Sequence, residues 1–293
     1  MQHDFEILTD STSDLILSEL KELGVAMVPL HVFVDGGTYL DMIEITSDEF
    51  YDKMAACSEL PHSCQPEPAA FEEAFTKLAD AGAKKVLSMH IALTLSGTAN
   101  SAQLAAQAVA DKVKVQVYDT KTATMAHGMM VKEAVRMRDA GETLEATIAH
   151  LDEFRSQLQL IFVPDTLENI VKNGRCSRAA GLMSSLLNIK AILAASEEDG
   201  SLAVVGKGRG TQRALEQLAG IVEKRYGKGA RLACTLVTVR NQAGCDQLVD
   251  ILEKRGFAVR VITTYNAGPV IATHTGAGLI GLACVPEQYC YQG

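Results

Sequence analysis

Val86-Leu87-Ser88-Met89-His90, followed by Leu93-Thr94-Leu95-Ser96-Gly97-Thr98 and an alanine-rich run, is the stretch that decides how this chain folds. The first five residues read as a short, mostly apolar strand. Ala102, Ala105, Ala106 and Val109 then fall at i, i+3, i+4 and i+7, which is one face of a helix. A strand that passes through a polar loop into a helix is the unit of a parallel α/β sheet. The loop has two readings. The N–H groups of a first helical turn, with the dipole behind them, favour an anion, and Ser96 and Thr98 add hydroxyl donors. On the other reading, one of these hydroxyls only caps the helix. No lysine or arginine lies between Lys85 and Lys112, so the loop suits a small, weakly charged acceptor held by neutral donors.

The same unit recurs on both sides. Phe5 to Leu8 reads as a strand, followed by Thr9-Asp10-Ser11-Thr12 and a helix carrying Ile16, Leu20 and Leu23. Val25 to Val34 and Thr38 to Leu40 read as a hairpin around Asp35-Gly36-Gly37. Thr46 and Glu49 have the spacing of a capping box. Pro61 to Pro68 reads as a loop holding Ser63-Cys64-Gln65-Pro66. Val113 to Tyr118 is a strand, two helices run up to Gln157, and Leu158 to Val163 is one more short apolar strand. Ligands of such sheets bind outside the carboxyl ends of the strands, where the loops at 9–12, 94–98 and 119–124 stand.

After about residue 160 the pattern changes. Ile189 to Ala195 and Leu202 to Val205 read as a hairpin. Helices carrying Leu215, Leu218, Ala219, Val222 and Cys245, Leu248, Val249, Leu252 alternate with strands at 231–238 and 258–263, and Leu279 to Val285 is a late strand. The expectation is an α/β chain of two domains. Residues 1–160 form a parallel-sheet, Rossmann-like domain with a hairpin insertion at about 25–41. Residues 161–293 form an α+β domain with a mixed or antiparallel sheet.

The totals exclude several classes. The chain has 293 residues, 47% hydrophobic and 22% charged, with a net charge of −9. That balance argues against nucleic acid or an anionic membrane surface as the main partner. Seven scattered cysteines without a CxxC, and no signal-peptide pattern, imply a reducing cytoplasm. No apolar run approaches the roughly 18 residues of a membrane helix, so no stable insertion is expected.

Most motif-like features fail on context. Gly276-Ala277-Gly278-Leu279-Ile280-Gly281 fits GxGxxG but leaves no room for a βαβ unit and its downstream acid. Asp10-Ser11-Thr12 after a strand has the look of an aspartyl phosphotransferase loop, but Thr12 stands where the second acid belongs. No GxSxG elbow surrounds Ser96, and the histidines show no metal spacing. His274, before a glycine loop, is by itself a structural histidine or a ligand. The segment from Lys172 to Arg213 holds seven cations, including Arg175, Arg178, Lys207 and Arg209, against three acids. It is either a solvated face or a docking surface for an acidic or phosphorylated partner.

Taken together and in order, eight segments resemble the DegV family of bacterial fatty-acid-binding proteins. Thr9-Asp10-Ser11-Thr12-Ser13-Asp14-Leu15 looks like its opening DS-x-x-DL, and Ser63-Cys64-Gln65-Pro66 is similar to its TSQP loop. Leu95-Ser96-Gly97-Thr98-Ala99-Asn100-Ser101-Ala102 resembles LSGTYQSA, and Asp119 to Gly128 its third loop. Asp165-Thr166-Leu167 with Asn173-Gly174-Arg175-Cys176-Ser177 resembles DTL…GGRIS. Leu187-Asn188-Ile189-Lys190 and Lys207-Gly208-Arg209-Gly210 resemble LNIKP and K-x-RG, and His274-Thr275-Gly276-Ala277-Gly278 resembles HxGPG. The chain departs from the family at Ser63, Cys64, Ala99, Asn100 and Ala277.

The resemblance implies one long-chain fatty acid, about C14–C18, in a tunnel between the two domains. Its carboxyl group is held by Ser63 and Ser96, with Gly97 and His274 at hand and Asp10, Ser11, Thr98 and Gly276 as further pocket or loop positions. It implies no cofactor, no metal and no catalysis of its own. A separate fatty acid kinase converts the bound lipid to acyl phosphate, which feeds phospholipid synthesis, and Arg175, Lys207 and Arg209 fall where such a kinase docks. The alternatives are a hydrolase or phosphotransferase using Asp10 or Ser96, and a binder of another small apolar acid.

Overall fold

The computed structural model describes residues 3–176 and 188–290. Ser177, Arg178 and Leu187 of the motifs above lie outside them. Strands β1 (Glu6–Asp10), β2 (Val25–Val28), β6 (Lys85–His90) and β7 (Lys114–Asp119) form a parallel sheet in the order β2-β1-β6-β7. Period-2 alternation gives the sheet two apolar faces. Leu8, Val28 and Val86 pack against Phe71 and Phe75 of α3 (Pro68–Asp80) and Ala102 and Ala105 of α4 (Thr98–Ala108). Ile7, Leu87 and Met89 face Met125, Ala126 and Met130 of α5 (Thr124–Asp139). Short helix α1 (Leu17–Glu22) links β1 to β2. Helix α2 (Ser47–Ala56) opens with the expected capping box, in which Thr46 N donates to Glu49 Oε2 at 2.9 Å and Glu49 N to Thr46 Oγ1 at 3.3 Å.

The stretch from Val25 to Val34 is not one strand. It breaks at Pro29, which has no N–H to give to a ladder. β2 joins the parallel sheet, and β3 (His31–Val34) leaves it to pair with β4 (Gly37–Leu40). The turn is the two-residue Asp35-Gly36, both at positive φ (53° and 71°), the preferred hairpin geometry. The loop at 61–68 also contains structure. His62–Cys64 forms β5, which pairs antiparallel with β3 and sets Ser63 opposite Val32.

The remaining strands make a six-stranded sheet, ordered β10-β9-β8-β13-β11-β12. These are β8 (Gln159–Val163), β9 (Ile189–Ala195), β10 (Leu202–Arg209), β11 (Arg231–Thr238), β12 (Ala258–Asn266) and β13 (Ile280–Pro286). All neighbours are antiparallel except β11 and β12. The outer face (Ile161, Val163, Ile192, Leu236, Leu282) packs on α8 (Gly210–Tyr226) and α9 (Gln242–Lys254) through Leu215, Leu218, Leu248 and Leu252. The inner face presents Leu160, Phe162, Leu193 and Val237 to the cluster containing α5 and α6 (Leu144–Gln157).

Strand β8 therefore belongs to the second sheet, although its sequence continues the pattern of the first. It is apolar on both faces, as buried parallel strands are. Helix α5 lies between the sheets, in contact with β1, β11 and β13, and is buried almost all round. Two short helices complete the inner side, α7 (Glu168–Lys172) and α10 (Pro269–Thr275), and they touch each other.

Candidate binding site

A cavity lies between the parallel sheet's loops, the inner face of the six-stranded sheet and α10. Most of its wall is aliphatic or aromatic. Leu30 comes from the β2–β3 link, Ile91 follows β6, Leu160 and Phe162 come from β8, Val237 from β11 and Ile271 from α10. The alternation along β8 that turns Ile161 and Val163 outward turns Leu160 and Phe162 into the cavity.

Six polar side chains also line the cavity: Ser63, Ser96, Thr124, Arg175, His274 and Thr275. Ser63 Oγ lies 2.8 Å from His274 Nε2. The ladder pairing of β5 fixes the serine, and the last turn of α10 presents the histidine. His274 Nδ1 is buried with no hydrogen-bond partner among the described residues. Burial, and then the Arg175 charge, push its pKa down to about 3, so the imidazole is neutral. One nitrogen is thus engaged with Ser63, and the other is buried without a partner among the described residues.

Ser96 bonds within its own loop and lines the cavity. Its Oγ lies 2.8 Å from Thr98 Oγ1 and accepts from Thr98 N at 3.3 Å. Thr98 is buried behind it. Gly97 works by lacking a side chain, since a Cβ there would stand 2.1 Å from Gln65 Oε1. Gln65 Nε2 in turn donates to Ser101 Oγ at 3.2 Å. Gly97 thereby lets the Ser63-to-Gln65 segment close onto the start of α4. Gly276, at φ 74°, ends α10, and a Cβ on it would meet Asn169 Oδ1 at 2.9 Å.

The trio of cations divides. Arg175 turns inward and lines the cavity, with Nε donating to Leu95 O at 3.1 Å and Nη1 to Asn173 O at 2.6 Å. Burial lowers its pKa, but a guanidinium keeps its charge. Lys207 and Arg209 are exposed on β10, an edge strand of the six-stranded sheet. Sequence reasoning placed Arg175 with them because charge was legible there and side-chain direction was not.

Asp10 and Ser11 are fully enclosed and do not line the cavity. Asp10 Oδ1 accepts from Thr12 N at 2.9 Å and from the Thr12 hydroxyl. Its Oδ2 accepts from Ile91 N at 3.2 Å and lies 3.0 Å from His90 Nδ1. An aspartate so enclosed has no path to attack a substrate. Ser96 has only a hydroxyl and an amide as partners, and neither takes its proton. The Ser63–His274 pair has the spacing of a nucleophile and base. Its imidazole, held neutral to about pH 3, is a weak base and has no carboxylate to orient it.

Comparison with known proteins follows the geometry. The family model described as "Uncharacterised protein, DegV family" matches residues 4–287. A DegV domain-containing protein of Deinococcus radiodurans is 34% identical over 282 residues, covering 96% of this chain and 98% of that protein. A solved DegV family structure from Thermus thermophilus, described as binding fatty acid, superposes with a TM-score of 0.88 at 33% identity, covering 97% and 99% of the two chains. A Thermotoga maritima structure, described as revealing fatty acid binding function, gives a TM-score of 0.84 at 28% identity, covering 97% and 100%.

Proposed function

As the chain belongs to the DegV family, we propose that it holds one long-chain fatty acid, about C14–C18, in this cavity between a 1–160 and a 161–293 domain. The carboxyl group sits at Ser63, Ser96 and His274. The observation that carries this reading is His274, in a mostly apolar wall, whose Nε2 meets Ser63 Oγ and whose buried Nδ1 has no partner among the described residues. A buried polar group without a partner is costly, and a carboxyl group supplies one. Each tautomer of the imidazole serves: Nδ1–H donates to a carboxylate, and a bare Nδ1 accepts from a carboxylic acid.

The energetics agree. Burying about 15 methylenes yields roughly 12 kcal/mol before the entropy of binding, at about 0.8 kcal/mol each. The tail therefore supplies the affinity, and the head needs orientation more than charge pairing. Arg175 adds a fixed positive charge next to that head.

In this reading the chain is a carrier without chemistry of its own. A separate fatty acid kinase phosphorylates the presented carboxylate, and the acyl phosphate goes to phospholipid synthesis in the cytoplasm. Lys207 and Arg209 guide the kinase from the surface of β10, and Arg175 stays in the cavity wall. No described helix is long and apolar enough to cross a membrane.

The test is acyl phosphate formation from ATP, magnesium and fatty acid, with and without the kinase. The wild-type chain alone should form none. With kinase, the Ser63→Ala, Ser96→Ala protein should turn over far more slowly while retaining lipid. Unchanged turnover in that double variant, or product formed without kinase, overturns the reading.

A further inference from the structure

One buried polar turn holds the cavity wall from behind. Asp10 Oδ2 accepts from Ile91 N at 3.2 Å, and Ser11 Oγ accepts from Leu30 N at 3.1 Å. Asp14 Oδ2 accepts from Thr124 Oγ1 at 2.5 Å. Asp41, from the segment after β4, accepts from Val270 N at 3.4 Å through Oδ1. Ile91, Leu30, Thr124 and Val270 come from four different segments, and all four line the cavity, whereas the groups that hold them do not.

Asp14 has a further link. Its Oδ1 accepts from Gly268 N at 2.9 Å, the residue that opens α10. One carboxyl group thus joins the start of α5 to the start of α10, the helix that carries His274. The approach is as close as the backbone allows, since a Cβ on Gly268 would stand 2.9 Å from Asp14 Oδ1. Both Asp14 (φ 55°) and Thr124 (φ 50°) are in the left-handed region. For a β-branched threonine that is an outlier, and it persists only where neighbours enforce it. Gly128 serves the same junction, because a Cβ there would stand 2.6 Å from Ser13 O.

We propose that Asp14 is a positioning residue for the lipid cavity: it sets the spacing between the α5 and α10 walls and so decides which acyl chains fit. This rests on the fatty-acid reading above. The charged and titratable groups around it are Asp10 from β1, Asp41 after β4, Tyr51 from α2 and Tyr265 from β12. Burial raises the Asp14 pKa to about 8 and that of Asp41 to about 7. Asp14 accepts from both Thr124 Oγ1 and Gly268 N, two bonds that favour its ionised form against that burial.

Asparagine keeps an oxygen to accept from Gly268 N and puts a donor where Asp14 accepts from Thr124 Oγ1. Alanine releases both walls. Lipid-free wild-type, Asp14→Asn and Asp14→Ala proteins are equilibrated with an equimolar mixture of C14, C16 and C18 acids at pH 7, and the bound acids are weighed by native mass spectrometry. Wild type should select among the acids. Asp14→Asn, which still accepts from Gly268 N, should stay close to the wild-type ratios. Asp14→Ala should still take up one acid but lose about tenfold in discrimination, the value of a methylene's fit.

Wild-type ratios in Asp14→Ala overturn the proposal. Should Asp14→Ala not fold, Gly268→Ala, whose Cβ would press on Asp14 Oδ1, decides in its place, and wild-type ratios in that variant overturn it. Wild-type protein that takes up no acid overturns the binding reading and this proposal with it. Wild-type binding with unaltered variant ratios overturns this proposal alone.

Discussion

Removing the Ser63 hydroxyl isolates a buried imidazole. His274 Nδ1 already lacks a partner, and Nε2 has Ser63 Oγ at 2.8 Å. In Ser63→Ala the ring loses that contact. Stranding a buried polar group costs about 1–3 kcal/mol, so the lipid-free protein should lose that much stability. In a His274→Leu background the accounting changes. The serine is then the stranded group, and replacing it with alanine should be neutral or slightly stabilising. The coupling between the two substitutions is therefore expected to be about 1–3 kcal/mol, outside the roughly 0.5 kcal/mol within which independent sites add. Urea denaturation of the four delipidated proteins at pH 7 measures it. Lipid should reduce the Ser63→Ala deficit, because a carboxyl group gives His274 a new partner. Additive single effects, with no change on adding fatty acid, would refute the assignment of this pair as the head-group anchor.

Other expectations concern pH, packing and charge. Asp14 and Asp41, raised by burial to about 8 and about 7, favour the fold fully only below the ordinary carboxylate value, and that stability is lost as pH rises through 7 and 8. His127 and His274, lowered by burial to about 4 and about 3, act oppositely and lose stability as pH falls below 6.5. The two effects offset each other between about pH 4 and 6.5, so the urea midpoint should decline from pH 6.5 to 8, by about 1.4 kcal/mol per pH unit for each proton retained by the fold; a rising midpoint contradicts these assignments. Gly97→Ala drives a Cβ against Gln65 Oε1 and should cost about 1–3 kcal/mol in thermal or urea stability, with weaker fatty acid binding; an unchanged midpoint would show that Gln65 swings aside freely. Charge reversal at Lys207 and Arg209 should raise the kinase's KM for this protein, an effect that fades with salt, without altering lipid content; reversal at Arg175, in the cavity wall, should alter both.

The parts of the fold that were legible in sequence are those where a hydrophobic period meets a loop. The segment from Val86 to Val109 announced strand, loop and helix, and Ser96 stands at the junction, bonded within its loop and lining the cavity. Strand β5 was not legible because His62, Ser63 and Cys64 carry no apolar pattern, and only the ladder to β3 makes them a strand. Strand β8 was legible as a strand but not as a member of the second sheet, since both its faces are buried. Pro29 was a visible break signal inside an otherwise continuous apolar run. Arg175 was visible as a charge, but its inward direction depends on the carbonyls of Leu95 and Asn173. Asp14 was visible as the second acid of the DS-x-x-DL segment, but its task appears only once α5 and α10 are folded against it.

The central claim is that this cavity holds a fatty acid by its tail and presents its carboxyl group at Ser63, Ser96 and His274. Native mass spectrometry of the purified chain tests it most directly. The account predicts one adduct per chain, released on denaturation as a saturated or unsaturated acid of about C14–C18. A chain that stays empty when offered such acids, or that carries an apolar molecule without a carboxyl group, would contradict it.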